Sequence, residues 1–389
     1  MDRIRVMQLV NGVAVGAEVG GAELFGIQLA RYLDKTAFDA MVCGLWHYDS
    51  PREKEWLEQL ESGGVRVRLL AAPTGQLLPD IRHALSQFWR EVSAFRPQVI
   101  NSHSERCDVF NLLAHALHPV RPRAVRAMGV DQQWQRRPWV GAALSQVLYP
   151  IGFSAEVGNS RTICEVLDAR LFARLIHKRS ILCYNGIDEN ILGSGNREGK
   201  GTALPHGVPA RGPRIGTVGR LTEQKGYADL LDAMHIVRQS APAELLIIGS
   251  GQLETTLRQK TARLGLQDCV HFLGSRGDVE DILPYFDVIV SSSWWEGFPT
   301  VLLQALAAGV PVVATDVSGS RELVRTGETG ILVPTHNPAR LAEAIVTLLR
   351  DPIRARTMAE AARQSAAPFT LQNAAKTYAD IYRRIIRHT

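Results

Sequence analysis

Two α/β domains, each a parallel sheet wound on both faces by helices, are predicted by three features of the sequence. The chain has 389 residues, more than one ordinary core organises. Short β-branched runs alternate with helical patterns from end to end, as parallel sheets covered by helices require. Between two such series lies LGSGNREGKGTALPHGVPARGP, 192–213, whose six glycines and three prolines support neither helix nor central strand. The expected division is therefore a first domain over 1–192, a linker over 193–213, a second domain over 214–368 and a closing helix over 369–389.

In the first series the strands are RIRVMQLV (3–10), DAMVCGL (39–45), VRVRLL (65–70), QVINSH (98–103) and RAVRAM (123–128). The helix after the first strand carries Ala22, Phe25, Gly26, Leu29 and Leu33 on one face at helical spacing. The second series is RIGTVG (214–219), ELLIIG (244–249), CVHFLG (269–274), DVIVSS (287–292), VPVVAT (310–315) and GILVP (330–334). The tail FTLQNAAKTYADIYRRIIRHT reads as one amphipathic helix opened by Thr370.

Composition narrows the class. Hydrophobic residues make up 46% and charged residues 21%, the profile of a globular enzyme. Five scattered cysteines form no CxxC pair, which argues for a reducing, cytoplasmic setting and against structural zinc. Gln8, Asn11 and Glu18 interrupt the first apolar run, so it reads as a buried strand and not a signal peptide. No run is apolar for long enough to span a bilayer. A net charge of +5 and a pI of about 9.0 favour anionic partners such as phosphates, nucleotides or an acidic membrane surface. The basic residues form no nucleic-acid-binding module.

In doubly wound folds ligands bind at the carboxyl ends of the strands, on loops feeding helix N-termini. Four loops fit that position. VGGAE (19–23) offers Gly20 and Gly21 for close backbone approach to an anion, and reads equally as a plain tight turn. GRLTEQKGYADLL (219–231) places Arg220 and Lys225 beside a helix start near Gly226. Two cations with unpaired N–H groups suit a diphosphate; solvated surface charge is the other reading. IIGSGQLE (247–254), with Gly249, and CVHFLGSRGDVED (269–281), with Gly274, could together form a nucleoside pocket, while His271 inside its strand reads as structural. WWEGFPTVLLQALAAGVPVVAT (294–315) sets Glu296 at the mouth of an apolar segment, with Gln304 buried inside it. Pro299 suits the first helical turn, which puts Glu296, Gly297 and Phe298 on the loop facing that turn's N–H groups. Attraction to the helix dipole would explain a charge at Glu296, at about 0.3–1 kcal/mol. It would not explain Gly297-Phe298-Pro299 or Gln304.

Taken together these residues closely resemble the retaining glycosyltransferases of family four, which have the two-domain GT-B fold. The resemblance rests on Gly20-Gly21, His103 in INSHS, YNGID at 184–188, Gly219-Arg220 with Lys225-Gly226, and Glu296-Gly-Phe-Pro299 followed by LLQALAAGVPVVAT and GILVP. It runs over nearly the whole chain and is strongest from 214 to 350. It implies two Rossmann-like domains facing a cleft, with the closing helix packing back on the first. It also implies transfer of a sugar from a nucleoside diphosphate, UDP more than GDP, to a saccharide or lipid-linked saccharide, in polysaccharide or glycoconjugate biosynthesis.

In that family the residue matching Glu296 contacts the donor sugar, those matching Arg220 and Lys225 neutralise the diphosphate, and the one matching His103 lies near the sugar. The helix N-terminus around Gly297, Phe298, Pro299 and Thr300 supplies backbone donors. No metal or other cofactor is called for, and no second carboxylate is evident as a nucleophile, so double displacement is not supported. The departure is Gln304, where the family usually has a Glu that accepts bonds from ribose hydroxyls. Losing the charge costs on the order of 1 kcal/mol of donor grip.

On the acceptor side, Trp134, Arg136, Arg137, Trp139 and Tyr149 interleave aromatic and basic character, and RPRAVR (121–126) and ARLIHKR (173–179) add charge. Peripheral contact with an anionic membrane follows as an expectation, beside the reading of an ordinary mobile acceptor loop. Two rival functions remain: a non-catalytic sugar-nucleotide-binding protein, encouraged by Gln304, and a nucleotide-sugar epimerase on the same fold.

Overall fold

The computed structural model describes residues 3–14, 20–129, 138–192 and 212–387. The chain forms two compact units, one of residues 1–186 with 371–389 and the other of residues 187–370. The change of unit thus falls at residue 187, ahead of the expected boundary at 192, because Ile187 N–H bonds to Phe369 O (3.0 Å). The expected linker, 193–211 of it, lies outside the described residues.

The first unit is built on β1 (Ile4–Val10), β2 (Phe38–Trp46), β3 (Arg66–Ala71), β4 (Val99–Ser102), β5 (Arg123–Met128), β6 (Ala155–Gly158) and β7 (Ile181–Leu182). They lie parallel in the order β3-β2-β1-β4-β5-β6-β7. The inner strands carry near-continuous apolar runs because helices cover both faces; Val6, Met7, Leu9 and Val10 of β1 are wholly buried. The helix Leu371–Arg387 belongs to this unit and packs Tyr378, Tyr382 and Ile381 against Phe25, Leu29 and Phe38.

The second unit has β8 (Arg214–Val218), β9 (Glu244–Ile248), β10 (Val270–Gly274), β11 (Val288–Ser291), β12 (Val312–Thr315) and β13 (Ile331–Val333). These are parallel in the order β10-β9-β8-β11-β12-β13. In each sheet the order reverses once, between β1 and β4 and between β8 and β11. A crevice opens at such a reversal, beyond the strand ends.

Every strand expected from the sequence is present, within a residue or two. β6 and β7 were not expected. β7 has only two residues, and β6 reads AEVG with Glu156 inside it, which hides the apolar signature. Glu156 is tolerated there because it is paired. Arg126 of β5 donates to Asp108 Oδ2 (2.7 Å) and Glu156 Oε1 (3.2 Å), and Arg170 Nη1 donates to Glu156 Oε1 (3.0 Å) and Ser145 O (3.1 Å). All four charged side chains are buried. Burial alone would raise the Glu156 carboxyl, but the guanidinium groups of Arg170 and Arg126 outweigh it and hold it below the usual range. Arg126 therefore corrects the reading of RPRAVR as surface charge. Tyr149 is corrected likewise: it is wholly buried, 4.3 Å beneath the Arg126 guanidinium.

Candidate active site

In the second unit, β8 and β11 end in loops that are fastened to each other. Ser292 Oγ donates to Lys225 O (2.8 Å), Trp294 N–H to Gln224 O (2.8 Å), and Gln224 Nε2 to Trp295 O (3.0 Å). Gly226 makes the closeness possible. It is left-handed (φ 59°), and a Cβ there would stand 2.1 Å from Ser292 O, so any side chain would push the loops apart. Helix Tyr227–Arg238 starts directly after it.

This fastening brings Lys225 and Glu296 together. Lys225 Nζ forms an ion pair with Glu296 Oε1, which also accepts from Ser293 Oγ (2.7 Å). Thr315 Oγ1 holds Ser293 O (2.5 Å), and the backbone carbonyl of Glu296 is held by Gly319 N–H (3.1 Å) and Ser318 Oγ (2.9 Å). The carboxylate is thus fixed from three elements and remains 9% exposed. Arg220 is exposed and makes no ion pair among the described residues, so its guanidinium is open to an anion.

The helix after this loop runs Thr300–Ala307, with Pro299 as its N-cap and not in the first turn. Leu302 and Leu303 N–H both turn to Pro299 O (3.0 and 3.2 Å), which leaves the N–H groups of Thr300 and Val301 without a carbonyl in the helix. Phe298 is buried and packs against Phe369 with the rings tilted (5.8 Å between centroids); its side chain anchors the loop, and Gly297 closes onto Gly319, where a Cβ would stand 2.6 Å from Gly297 O.

Three of the glycines expected to meet the donor, Gly219, Gly249 and Gly274, form a ladder across the strand ends. Gly219 N–H bonds to Ile248 O (2.9 Å), and Gly249 N–H to Gly274 O (2.8 Å). At Gly249 (φ 139°) a Cβ would lie 1.9 Å from Gly219 O, so this position requires glycine to keep the two loops in contact. His271 pairs with Glu244 (2.7 Å) and is structural, as the sequence suggested.

Gln304 corrects its expectation. It is half-buried, not enclosed, and its Nε2 donates to Glu280 Oε1 (3.0 Å). Burial raises the Glu280 carboxyl above its usual value, against the bond from Gln304, and Asp188 and Asp281 push it the same way. Sequence reading missed Glu280 because it lies 24 positions from its partner.

In the first unit, Gly20 is the N-cap of helix Gly21–Tyr32, and Glu23 reaches back to it: Gly20 N–H donates to Glu23 Oε2 (3.2 Å) and Asn11 Nδ2 to Glu23 Oε1 (2.9 Å). Nothing stands within 4 Å of a Cβ placed on Gly21. His103 follows β4 and is 3% exposed. Its Nε2 lies 2.8 Å from Gln8 Oε1, an acceptor, and 3.3 Å from Asn101 Nδ2, a donor. Burial drives its pKa down to about 3, so the ring is neutral in use. Gly26 packs so closely that a Cβ would touch His103 Cδ2 at 2.6 Å. Trp139 is 88% exposed; Trp134, Arg136 and Arg137 lie outside the described residues.

The family described as glycosyl transferases group 1 matches residues 212–351, the part that carries both fastened loops. Alpha-maltose-1-phosphate synthase of Mycolicibacterium smegmatis is 30% identical over 294 residues, 70% of this chain and 72% of that protein. This chain belongs to the group 1 glycosyltransferases. N-acetyl-alpha-D-glucosaminyl L-malate synthase of Bacillus anthracis is 29% identical over 52% of this chain and 53% of its own length. Several of the curated relatives are likewise matched over about half their length. Among solved structures, Anabaena HepE in complex with UDP and glucose superposes with a TM-score of 0.76 at 23% identity, over 97% of this chain and 99% of that one. Sucrose-phosphate synthase of Thermosynechococcus elongatus gives 0.78 at 20%, over the whole of both chains. These likenesses establish the fold as GT-B, and within this glycosyltransferase the second unit holds Glu296, Lys225 and Arg220.

Proposed function

We propose that this glycosyltransferase moves a sugar, with retention at the anomeric carbon, from a nucleoside diphosphate sugar to a saccharide or lipid-linked saccharide. The setting is cell-surface polysaccharide or glycoconjugate synthesis at the cytoplasmic face of the membrane. The observation that carries the reading is the Lys225–Glu296 pair on fastened loops, beside the exposed Arg220 and the N–H groups of Thr300 and Val301, which have no partner among the described residues. Breaking the anomeric bond builds negative charge on the leaving diphosphate. Cations and amides already in place stabilise it, each such donor being worth about 10²–10³ in rate, and the reading calls for no metal. Glu296 accepts bonds from sugar hydroxyls.

UDP stands before GDP as the nucleotide, supported by the UDP and UDP-glucose complexes of HepE. A thermal-shift panel of UDP, GDP and their sugars tests the reading. A ligand that binds only the folded chain adds about 2.7 kcal/mol at a hundredfold excess over its Kd, so the right nucleotide raises the midpoint by several degrees. No shift with any of them overturns it. Turnover of the binding donor, with no epimer formed, sets transfer apart from binding alone and from epimerisation.

Membrane contact is supported by a separate observation. The helical run PWVGAALSQVLYPIG, 138–152, has no charged residue, and exposes Trp139, Leu148 and Ile151; Leu171, Leu175 and Ile176 are exposed with Arg174 on a later segment, after β6 and the helix Arg161–Ala169. The two segments are joined by Leu171 N–H to Gln146 Oε1 (3.2 Å) and by Lys178 Nζ to Pro150 O (2.7 Å). Apolar side chains with a basic rim suit an anionic bilayer surface. The protein is expected to float with vesicles containing phosphatidylglycerol, and L148E/L171E to remain behind; failure of the native chain to float refutes this contact.

A further inference from the structure

A buried polar chain runs from the closing helix to the carboxyl end of β4. In helix Leu371–Arg387, Tyr382 is wholly buried among apolar neighbours. Its hydroxyl oxygen accepts from Gln8 Nε2 (3.1 Å), and Gln8 Oε1 lies 2.8 Å from His103 Nε2. Asn101 Nδ2 donates to the same Gln8 oxygen (3.0 Å) and stands 3.3 Å from His103 Nε2. Gln8 and Asn101 are wholly buried as well.

Docking of the helix does not require these groups. Gln8 interrupts an otherwise apolar β1, and an apolar pair at 8 and 382 would join helix to strand without desolvating an amide and a hydroxyl. Asn101 Oδ1 is even left buried without a partner among the described residues, at a cost in stability. What a buried polar network supplies is one fixed arrangement of its members, and the member fixed here is His103. The ring is gripped along its Cδ2–Nε2 edge, by Gln8 and by Gly26, where a Cβ would stand 2.6 Å from Cδ2 and 2.8 Å from Nε2. Nδ1 lies on the opposite edge and has no partner among the described residues. His103 directly follows β4, which flanks with β1 the reversal of the first sheet, where ligands meet such folds. A neutral ring nitrogen, almost wholly enclosed and unengaged at that point, suits a hydroxyl of a ligand.

We propose that Tyr382, acting through Gln8, is a positioning residue for sugar transfer: it holds the His103 ring so that Nδ1 meets a hydroxyl of the transferred sugar. The inference rests on the reading of this chain as a working transferase. It gives the closing helix a part in turnover beyond packing on its unit.

A double-mutant cycle on turnover tests this, read as nucleoside diphosphate released by the full chain from UDP-glucose, UDP-N-acetylglucosamine or GDP-mannose. H103A and Y382F are each expected to lose about tenfold, and Y382F to add nothing in the H103A background, because both remove the same contact. Y378F removes a hydroxyl one turn away on the same helix, where no bond to this chain of groups exists, and is expected to stay within twofold of wild type. The second readout needs no substrate. In protein carrying nitrogen-15 histidine, the ring signals that vanish in H103A are expected to shift in Y382F and stay in place in Y378F. Should Y382F fail to fold, Q8M takes its place in the cycle and in the spectra. Independent, multiplying losses in the double variant, an equal loss in Y378F, or unmoved His103 ring signals would reduce Tyr382 to a docking residue and overturn the proposal, with the transferase reading intact. H103A within twofold of wild type also overturns it, by taking the ring out of the machinery. Release from none of the three donors by wild type removes the underlying reading and the inference with it.

Discussion

Glu296→Ala is expected to cut sugar transfer by about 10²–10³, the range for removing one preplaced contact to the reacting group, while UDP itself binds as well as before or better. The two effects separate because of the ion pair. In the ligand-free chain Lys225 is engaged by Glu296, and Ser293 donates to the same carboxylate oxygen. Taking the carboxylate away removes the grip on the sugar but leaves the Lys225 ammonium with no competing anion, so a diphosphate meets it at lower cost. Calorimetry with UDP alongside a turnover assay with the sugar nucleotide reads both quantities. If Glu296 were only a fold-stabilising partner, thermal midpoint, UDP affinity and turnover would all fall together. Turnover within twofold of wild type would remove Glu296 from the machinery.

The largest loss of stability is expected from Arg126→Ala in the first unit. Arg126 is 1% exposed and stands between Asp108 and Glu156, both also buried. Removing one member of such a set strands an uncompensated charge and costs about 3–5 kcal/mol. The pH dependence gives a second readout. Burial already pushes Asp108 up to about 6 with Arg126 beside it, and without the cation both folded-state pKa values move higher. A carboxyl whose folded pKa lies above its unfolded value loses stability as pH rises through that interval. The deficit of R126A should therefore be greater at pH 8 than at pH 5 in urea unfolding. A deficit under 1 kcal/mol, or one independent of pH, would show that the charges are solvated after all.

Much of the fold was legible because it is written in short-range pattern. Runs such as VIVS and VVAT announce themselves as inner strands, and the glycine-rich turns after β8, β9 and β10 mark where those strands stop. β6 was illegible because its Glu156 is explained only by Arg126 and Arg170, residues far from it in sequence. The same blindness made Arg126 look like surface charge. At the site, Arg220, Lys225 and Glu296 were found through spacing and resemblance. Their mutual engagement was not visible, since it depends on Gly226 allowing two loops to touch. Glu23 carried a signal that went unread: a Glu three places after Gly20 is the spacing of a reciprocal cap. Glu280 carried none, for no local rule links a residue to an amide on another helix.

The fastening between the two loops bears on how donor preference in this enzyme can be altered. Because Gln224, Lys225, Ser292, Trp294 and Trp295 are tied by one backbone bond and two bonds from side chains to backbone carbonyls, the cation and the acid travel as a single rigid piece, and changes to that seam would disturb both at once. Retuning for another sugar nucleotide is better attempted at side chains outside the seam, where one contact can be exchanged without moving the rest.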